Sequence, residues 1–297
     1  MPTSPPPLDL VLSQGSLQDF VDCPRRFQLR YVLGQPWPAE AAAPALQTER
    51  FLRQAERFHR LVHQHLLGVP ADLLTRAASA EPVEAELVEA EPAEAPLARW
   101  WRHYLASEPA AAPPAARRYP EAVLSAALGD YLLMARYDLV LAYPDGRTAI
   151  FDWKTAQRRP RRAWLAQRLQ TVVYPYVLVE AGEGLFGGRA PAPEQVEMVY
   201  WFAEFPLAPE RFAYSAEQHA QNGRYLRSLV AEMERLAEAA EVWPLTDDAQ
   251  RCRFCVYRSL CDRGRTAGRL EELEMAAEEA DELEIALDFE QVAEIAY

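Results

Sequence analysis

The sequence predicts an α/β protein in which a mixed central β-sheet is flanked by helices. Two observations carry this. Segments with helical periodicity surround a block of strand-like segments that starts near Glu121. Inside that block, the apolar runs "YLLMARYDLVLAY" (131–143) and "RTAIFDW" (147–153) flank Pro144-Asp145-Gly146, a turn signal between antiparallel neighbours. A helix, a further strand and a long helix follow, and this order argues a mixed sheet.

Taken in order, residues 1–12 read as a loose proline-rich leader. Ser16 suits the N-cap of a short helix, Pro24 the first turn of the next, and Gly34 its end. A second helix is expected over 46–67. Residues 78–96, rich in Ala, Pro and Glu, read as an irregular insert, and "LARWWRHYLA" as a helix. Three antiparallel strands begin with "EAVLSAAL". A helix at about 162–181, a strand at 195–205 and an amphipathic helix at 215–240 complete the pattern. The expected organisation is a leader (1–12), one domain (13–265) carrying the 78–96 insert, and an acidic tail (266–297).

The 297 residues can bury a sizeable core, and 50% hydrophobic with 25% charged residues is ordinary for a globular protein. The N-terminus shows no signal peptide, and no apolar run is long enough for a membrane span, so a cytoplasmic protein with no membrane partner is expected. The net charge of −13 is concentrated: residues 269–297 hold eleven acids against one arginine, and residues 81–96 add six glutamates. Arg158, Arg159, Arg161 and Arg162 form a basic cluster, so overall acidity leaves room for a local path along a phosphate backbone.

The hairpin sets a geometric expectation. If Pro144-Asp145-Gly146 is the loop, Tyr143 faces Arg147 and Asp138 faces Asp152. Directly opposed residues hold their Cβ atoms about 4.5–5.5 Å apart. Two carboxylates so close repel unless a cation lies between them. Period-2 alternation puts Lys154 on the face of Asp152. Two carboxylates for Mg²⁺ or Mn²⁺, with a lysine for developing negative charge, are what phosphodiester hydrolysis needs. A two-residue loop would instead turn the acids apart.

The four cysteines are Cys23, Cys252, Cys255 and Cys261, the last three spaced C-x2-C-x5-C. In a reducing compartment four thiolates suit a 4Fe–4S cluster or structural Zn²⁺, and spacing does not choose between them.

These residues resemble the PD-(D/E)XK nuclease superfamily, specifically its RecB-like branch. "ARYD" matches the G-x-x-D pattern with Ala135 for glycine, "DWK" the D-x-K element, and "QTVVY" the Q-x-x-x-Y motif through Gln170 and Tyr174. "AERFH" matches G-x-x-x-H with Ala55 for glycine, making His59 the implied metal ligand, with His63 one turn on as its rival. Glu121 matches a glutamate often found at the first strand, as a water-mediated ligand or a cap of the sheet edge. The resemblance implies a restriction-endonuclease-like core. It assigns the metal to His59, Asp138, Asp152 and the Trp153 carbonyl, and catalysis to Asp138, Asp152, Lys154, Gln170 and Tyr174. One early cysteine plus the C-terminal triplet, with "CPRRFQLRYVLG" around Cys23, is similar to the iron–sulfur clasp of AddB-type subunits and CRISPR-associated exonucleases. That likeness weights the cysteines towards 4Fe–4S over Zn²⁺, stapling terminal helices to the core. It implies a DNA exonuclease on single-stranded or free ends in repair, recombination or CRISPR adaptation, with a helicase or repair partner. The alternative is an inactive DNA-binding scaffold, to which the two alanines point. The likeness covers residues 13–265 apart from the insert and leaves polarity, strand preference and oligomeric state open.

Overall fold

A computed structural model describes residues 10–37, 42–43, 45–80, 95–239 and 241–269. The first nine residues of the expected leader, residues 81–94 of the insert and the tail from 270 lie outside the described residues. The N-terminal part runs β1 (Val11–Ser13), α1 (Gln14–Asp22), α2 (Pro24–Phe27), a π turn (Gln28–Val32), β2 (Ala42–Ala43) and α3 (Ala45–Leu66). Next come α4 (Ala71–Ser79), α5 (Pro96–Leu105), α6 (Glu108–Ala111), β3 (Arg117–Leu128), β4 (Tyr131–Ala142) and β5 (Thr148–Lys154). Then follow α7 (Arg162–Gln167), α8 (Leu169–Ala181), α9 (Glu183–Phe186), β6 (Val196–Phe202) and β7 (Glu210–Ala213). The helix α10 (Ala216–Ala239) and β8 (Gly268–Arg269) complete it.

The sheet is mixed, as expected, with β5 and β6 parallel and β3–β4–β5 antiparallel. The hairpin register is the expected one: Leu139 faces Phe151, and the pairing runs to Ala142 and Thr148. The loop closes through Tyr143 N–H to Arg147 O (2.8 Å) and Gly146 N–H to Tyr143 O (3.0 Å), with Gly146 at φ +91°. A three-residue hairpin with a left-handed glycine is a favoured connection. On one edge of β4, β5 takes Leu139–Ala142 and the parallel β1 takes Leu132–Met134, while β3 pairs along the other edge.

Several expectations need correction. Residues 11 and 12 are not a loose leader but part of the strand β1 (Val11–Ser13), too short to show a period. The N-cap of α1 is Ser13, and Ser16 is its reciprocal partner: Ser16 N–H donates to Ser13 Oγ (3.1 Å) and Ser13 N–H to Ser16 Oγ (2.8 Å). Residues 71–79, partly assigned to the insert, form α4, packed through Leu74 and Ala78. The helix expected over 162–181 breaks at Arg168, whose ψ of 139° is extended.

Each face of the sheet carries its own core. α1, α8 and α10 cover one, burying Phe27, Leu133, Tyr137, Val173 and Leu226. α3, α4 and α5 cover the other, burying Phe58, Trp100, Trp101, Leu139, Phe151 and Trp201. Trp100, Trp101 and Trp153 are thus core residues, each at most 3% exposed.

Candidate active site

Where β4 and β5 part, the expected residues come together. Alternation along the hairpin would give the next ladder bond to Trp153 N–H and Tyr137 O. Instead Trp153 N–H donates to Asp138 Oδ2 at 2.7 Å, so this carboxylate ends the pairing. Beyond that point β5 pairs only with β6, Asp152 standing beside Tyr200 and Lys154 beside Phe202.

A second distortion lies at the same level. Leu133, Ala135 and Tyr137 are buried under α8, whereas Leu139 and Leu141 are buried under α3 and α5. The inward side of β4 therefore switches at Asp138. On β3 the switch falls at Glu121, between the Pro120–Leu139 and Ala122–Tyr137 pairs. Glu121 has a left-handed φ of +49°, a conformation costing a non-glycine residue on the order of 1 kcal/mol. Its carboxylate accepts from Arg136 Nε (2.8 Å) and Nη2 (2.7 Å).

Helices from both faces reach this point. From α3, His59 Nδ1 lies 3.3 Å from Asp138 Oδ1. It is His59, not His63, that pairs with the aspartate, and His65 instead meets the Tyr104 hydroxyl at 3.1 Å. From α8, Gln170 Nε2 donates to Asp152 Oδ1 at 2.5 Å. Gln170 thus braces the aspartate rather than the lysine. Tyr174 shares that side of α8 but is buried in the core, its ring 5.0 Å from Tyr137 and its carbonyl accepting from the Tyr137 hydroxyl. Lys154 Nζ lies 2.8 Å from Asp152 Oδ2 and 5.8 Å above the Tyr200 ring.

The electrostatics separate the two carboxyls. Asp152 is fully buried, and burial, with Asp138 adding to it against Lys154, pushes its carboxyl up to about 6. Burial acts on Asp138 in the same direction, but His59, the Trp153 amide and Lys154 outweigh it and hold that carboxyl below its ordinary range. Burial works against the His59 imidazolium, and Asp138 more than offsets this, raising His59.

Oδ2 of Asp152 is buried and meets the Lys154 ammonium at 2.8 Å. Two carboxylates and an imidazole have the donor chemistry of a hard divalent cation. The side chains close on one another, however: among the described residues no three His, Cys, Asp or Glu side chains are gathered tightly enough to hold an ion.

The same holds for the cysteines. Cys23 and Cys252 are buried, Cys255 and Cys261 partly so. Burial pushes the Cys255 thiol up to about 11, opposed by Arg26 and reinforced by Cys23 and Cys252. Cys252 and Cys261 are raised by burial and by Cys23, opposed by arginines. Among the described residues the cysteines do not form a gathered metal site.

The N-terminal helical region and residues 241–269 are nonetheless joined. Gln28 Nε2 donates to Glu241 O (2.8 Å), and Trp243 N–H donates to Gln28 Oε1 (2.9 Å). Arg251 Nη1 pairs with Asp22 Oδ1 (2.7 Å), the Tyr257 hydroxyl donates to Gln35 O (2.9 Å), and β2 pairs with β8. Phe27 and Trp243 stack with centroids 5.7 Å apart. The arginine run is partly committed: Arg159 and Arg162 both pair with Glu210 on β7.

A family model of the PD-(D/E)XK nuclease superfamily matches residues 11–262. The chain belongs to the PD-(D/E)XK nuclease superfamily. Its matched span contains every site residue above. No curated protein matches the chain. Among solved structures, SSO0001 is similar at 13% identity and a TM-score of 0.36, covering 85% of this chain and 86% of that one. A candidate exonuclease from Eubacterium rectale is similar at 9% identity and a TM-score of 0.44, covering 77% of this chain and 81% of that one. At these scores the superfamily assignment rests on the family model alone. Among the described residues no helix is long and apolar enough to cross a membrane.

Proposed function

We propose that this member of the superfamily is a divalent-metal-dependent deoxyribonuclease of the RecB-like branch, acting as an exonuclease on single-stranded or free DNA ends. The observation that carries this is the meeting of Asp138, Asp152 and Lys154 where β4 and β5 part. Asp138, Asp152 and His59, with the Trp153 carbonyl, would hold Mg²⁺ or Mn²⁺. When bound, such an ion neutralises the phosphate and acidifies a water molecule.

The chain's own groups divide the remaining work. Gln170 fixes Asp152 through Oδ1, while Oδ2 faces the Lys154 ammonium. The Trp153 amide fixes Asp138 in the same way through Oδ2. Lys154, held beside Asp152 above the Tyr200 ring, supplies positive charge where the transition state gains negative charge. Tyr174 anchors α8, and so Gln170, to the core.

At the cysteines the reading is a 4Fe–4S cluster, with Zn²⁺ as the competing occupant. It rests on the C-x2-C-x5-C spacing and the likeness of the stretch around Cys23. A cytoplasmic role in repair, recombination or CRISPR adaptation, beside a helicase or repair protein, is the setting the branch implies.

The test is degradation of end-labelled single- and double-stranded DNA with Mn²⁺, using protein purified without oxygen. Asp152→Ala should abolish degradation and leave DNA binding largely intact. If the unaltered protein degrades neither substrate, the inactive DNA-binding scaffold replaces this reading. A visible absorption spectrum with metal analysis separates the cluster from colourless zinc.

A further inference from the structure

Two buried donors beside the site have nothing to give to. Arg168 Nη1 and Trp164 Nε1 are both shielded from solvent and lack a hydrogen-bond partner among the described residues. They form one unit, the Arg168 guanidinium lying over the Trp164 ring, 4.9 Å from its centroid. Each residue is only 7% exposed, and no described carboxylate pairs with Arg168. Burying a guanidinium N–H with no acceptor costs free energy, and stacking on an indole offsets only part of it. Most buried polar groups are satisfied, so two orphan donors on stacked side chains point to an acceptor that arrives from outside.

Their position says which acceptor. Arg168 occupies the extended break between α7 and α8. Its neighbour Leu169 is fixed by N–H donation to Gln18 Oε1 at 3.0 Å. Two residues on, Gln170 grips Asp152. The orphan donors are therefore carried by the same backbone that braces the metal carboxylate. A guanidinium presents a planar fork suited to two oxygens of a phosphate, and an indole N–H can only donate.

We propose that Arg168 and the Trp164 indole N–H bind a non-bridging phosphate oxygen of the DNA strand beside the phosphodiester to be cut, as positioning residues. This rests on the nuclease reading for the nature of the strand, but the binding itself needs no metal and no cleavage. The helix break is then functional: a continuous helix would carry residue 168 with α-helical dihedrals instead of the extended ones seen.

The experiment measures binding of a fluorescent single-stranded oligonucleotide by anisotropy in EDTA across a salt series. It uses the full chain, Arg168→Gln, Arg168→Lys and Trp164→Phe, with a melting curve for each and inorganic phosphate as competitor. Arg168→Gln should weaken binding about tenfold and Trp164→Phe a few-fold, as expected for lost bonds to a charged acceptor. Arg168→Gln should also reduce the slope of log affinity against log salt by about 0.7, one phosphate contact on a single strand. Arg168→Lys should keep the slope and lose part of the affinity. Unchanged affinity and slope in folded Arg168→Gln protein overturn the proposal. A melting temperature well below that of the parent also overturns it, since Arg168 would then be a structural strut. Phosphate competition that is equal in parent and Arg168→Gln proteins places the anion elsewhere and overturns it too. Arg168-dependent binding by a protein that never cuts DNA would leave this site standing and count against the nuclease reading alone.

Discussion

Asp152 should destabilise the metal-free protein, and replacing it by asparagine should reveal by how much. Its carboxyl is fully buried and lifted from an ordinary 3.8 to about 6. In the folded protein above about pH 6 that carboxylate stays ionised in a setting that disfavours it, so the penalty is complete there. As pH falls through 6 the folded protein takes up a proton before the unfolded chain does, and the penalty fades; below about 3.8 both states are protonated and it is gone. A two-unit displacement is worth about 3 kcal/mol. Asparagine keeps the shape and can still accept from Gln170, but it deprives Lys154 of its partner, which returns part of the gain. Asp152→Asn should therefore be about 1–3 kcal/mol more stable than the parent at pH 8 in EDTA, with the difference shrinking towards pH 4. His59 is common to both proteins, and Asp138 more than Asp152 opposes the burial that works against its charge, so the comparison cancels most of its effect. Urea unfolding at pH 5, 6, 7 and 8 measures this. An asparagine variant less stable than the parent at pH 8, or a difference flat with pH, refutes the assignment of Asp152 as a strained carboxylate. Mn²⁺ at a hundred times its dissociation constant should stabilise the parent by about 2.7 kcal/mol and the variant hardly at all.

Gln28→Ala should cost about 2–3 kcal/mol in urea unfolding, because it leaves the Glu241 carbonyl and the Trp243 amide without their buried partner. A loss under about 0.5 kcal/mol would mean water replaces the amide. Cys252→Ser should change the stability of the metal-free protein by less than about 1 kcal/mol, since the joined ends do not depend on the thiol. The same variant should lose most of the iron or zinc the parent retains, read by metal analysis.

The sheet is legible in the sequence because its hairpin carries a strong turn signal. Read as a three-residue loop, Pro144-Asp145-Gly146 fixes which residues face each other, and the structure has that loop rather than the two-residue alternative. Asp138, Asp152 and Lys154 are placed together by counting along strands, whereas His59 and Gln170 are singled out only by the resemblance to the nuclease family. What could not be read was irregular. β1 is three residues long, α4 sits beside a low-complexity stretch, and the break at Arg168 carries neither glycine nor proline. Helical spacing gives the face of Gln170 but not its partner, which in the structure is Asp152. The joining of the chain ends was attributed to cysteines alone because their spacing stands out, whereas Gln28, Asp22 and Gln35 look like ordinary polar residues in the sequence.

The two alanines that replace motif glycines bear on whether this site is intact. Glycine would be indispensable at either position only for a left-handed backbone or for a contact too close for a methyl group. Neither Ala55 nor Ala135 has positive φ, and both are buried, Ala55 within α3 and Ala135 opposite Leu124 on β4. Their methyl groups fill core space four residues before His59 and three before Asp138 without displacing either. The left-handed residue of this site is Glu121 instead, directly across the ribbon from Asp138, where the inward side of both strands switches. A non-glycine residue is held in that conformation only where its surroundings overdetermine it. Here the surroundings are the Arg136 pair and the two cores on opposite faces of the sheet. The substitutions that argue for a disabled scaffold thus fall where nothing among the described residues requires glycine, while the left-handed residue beside the first aspartate is Glu121.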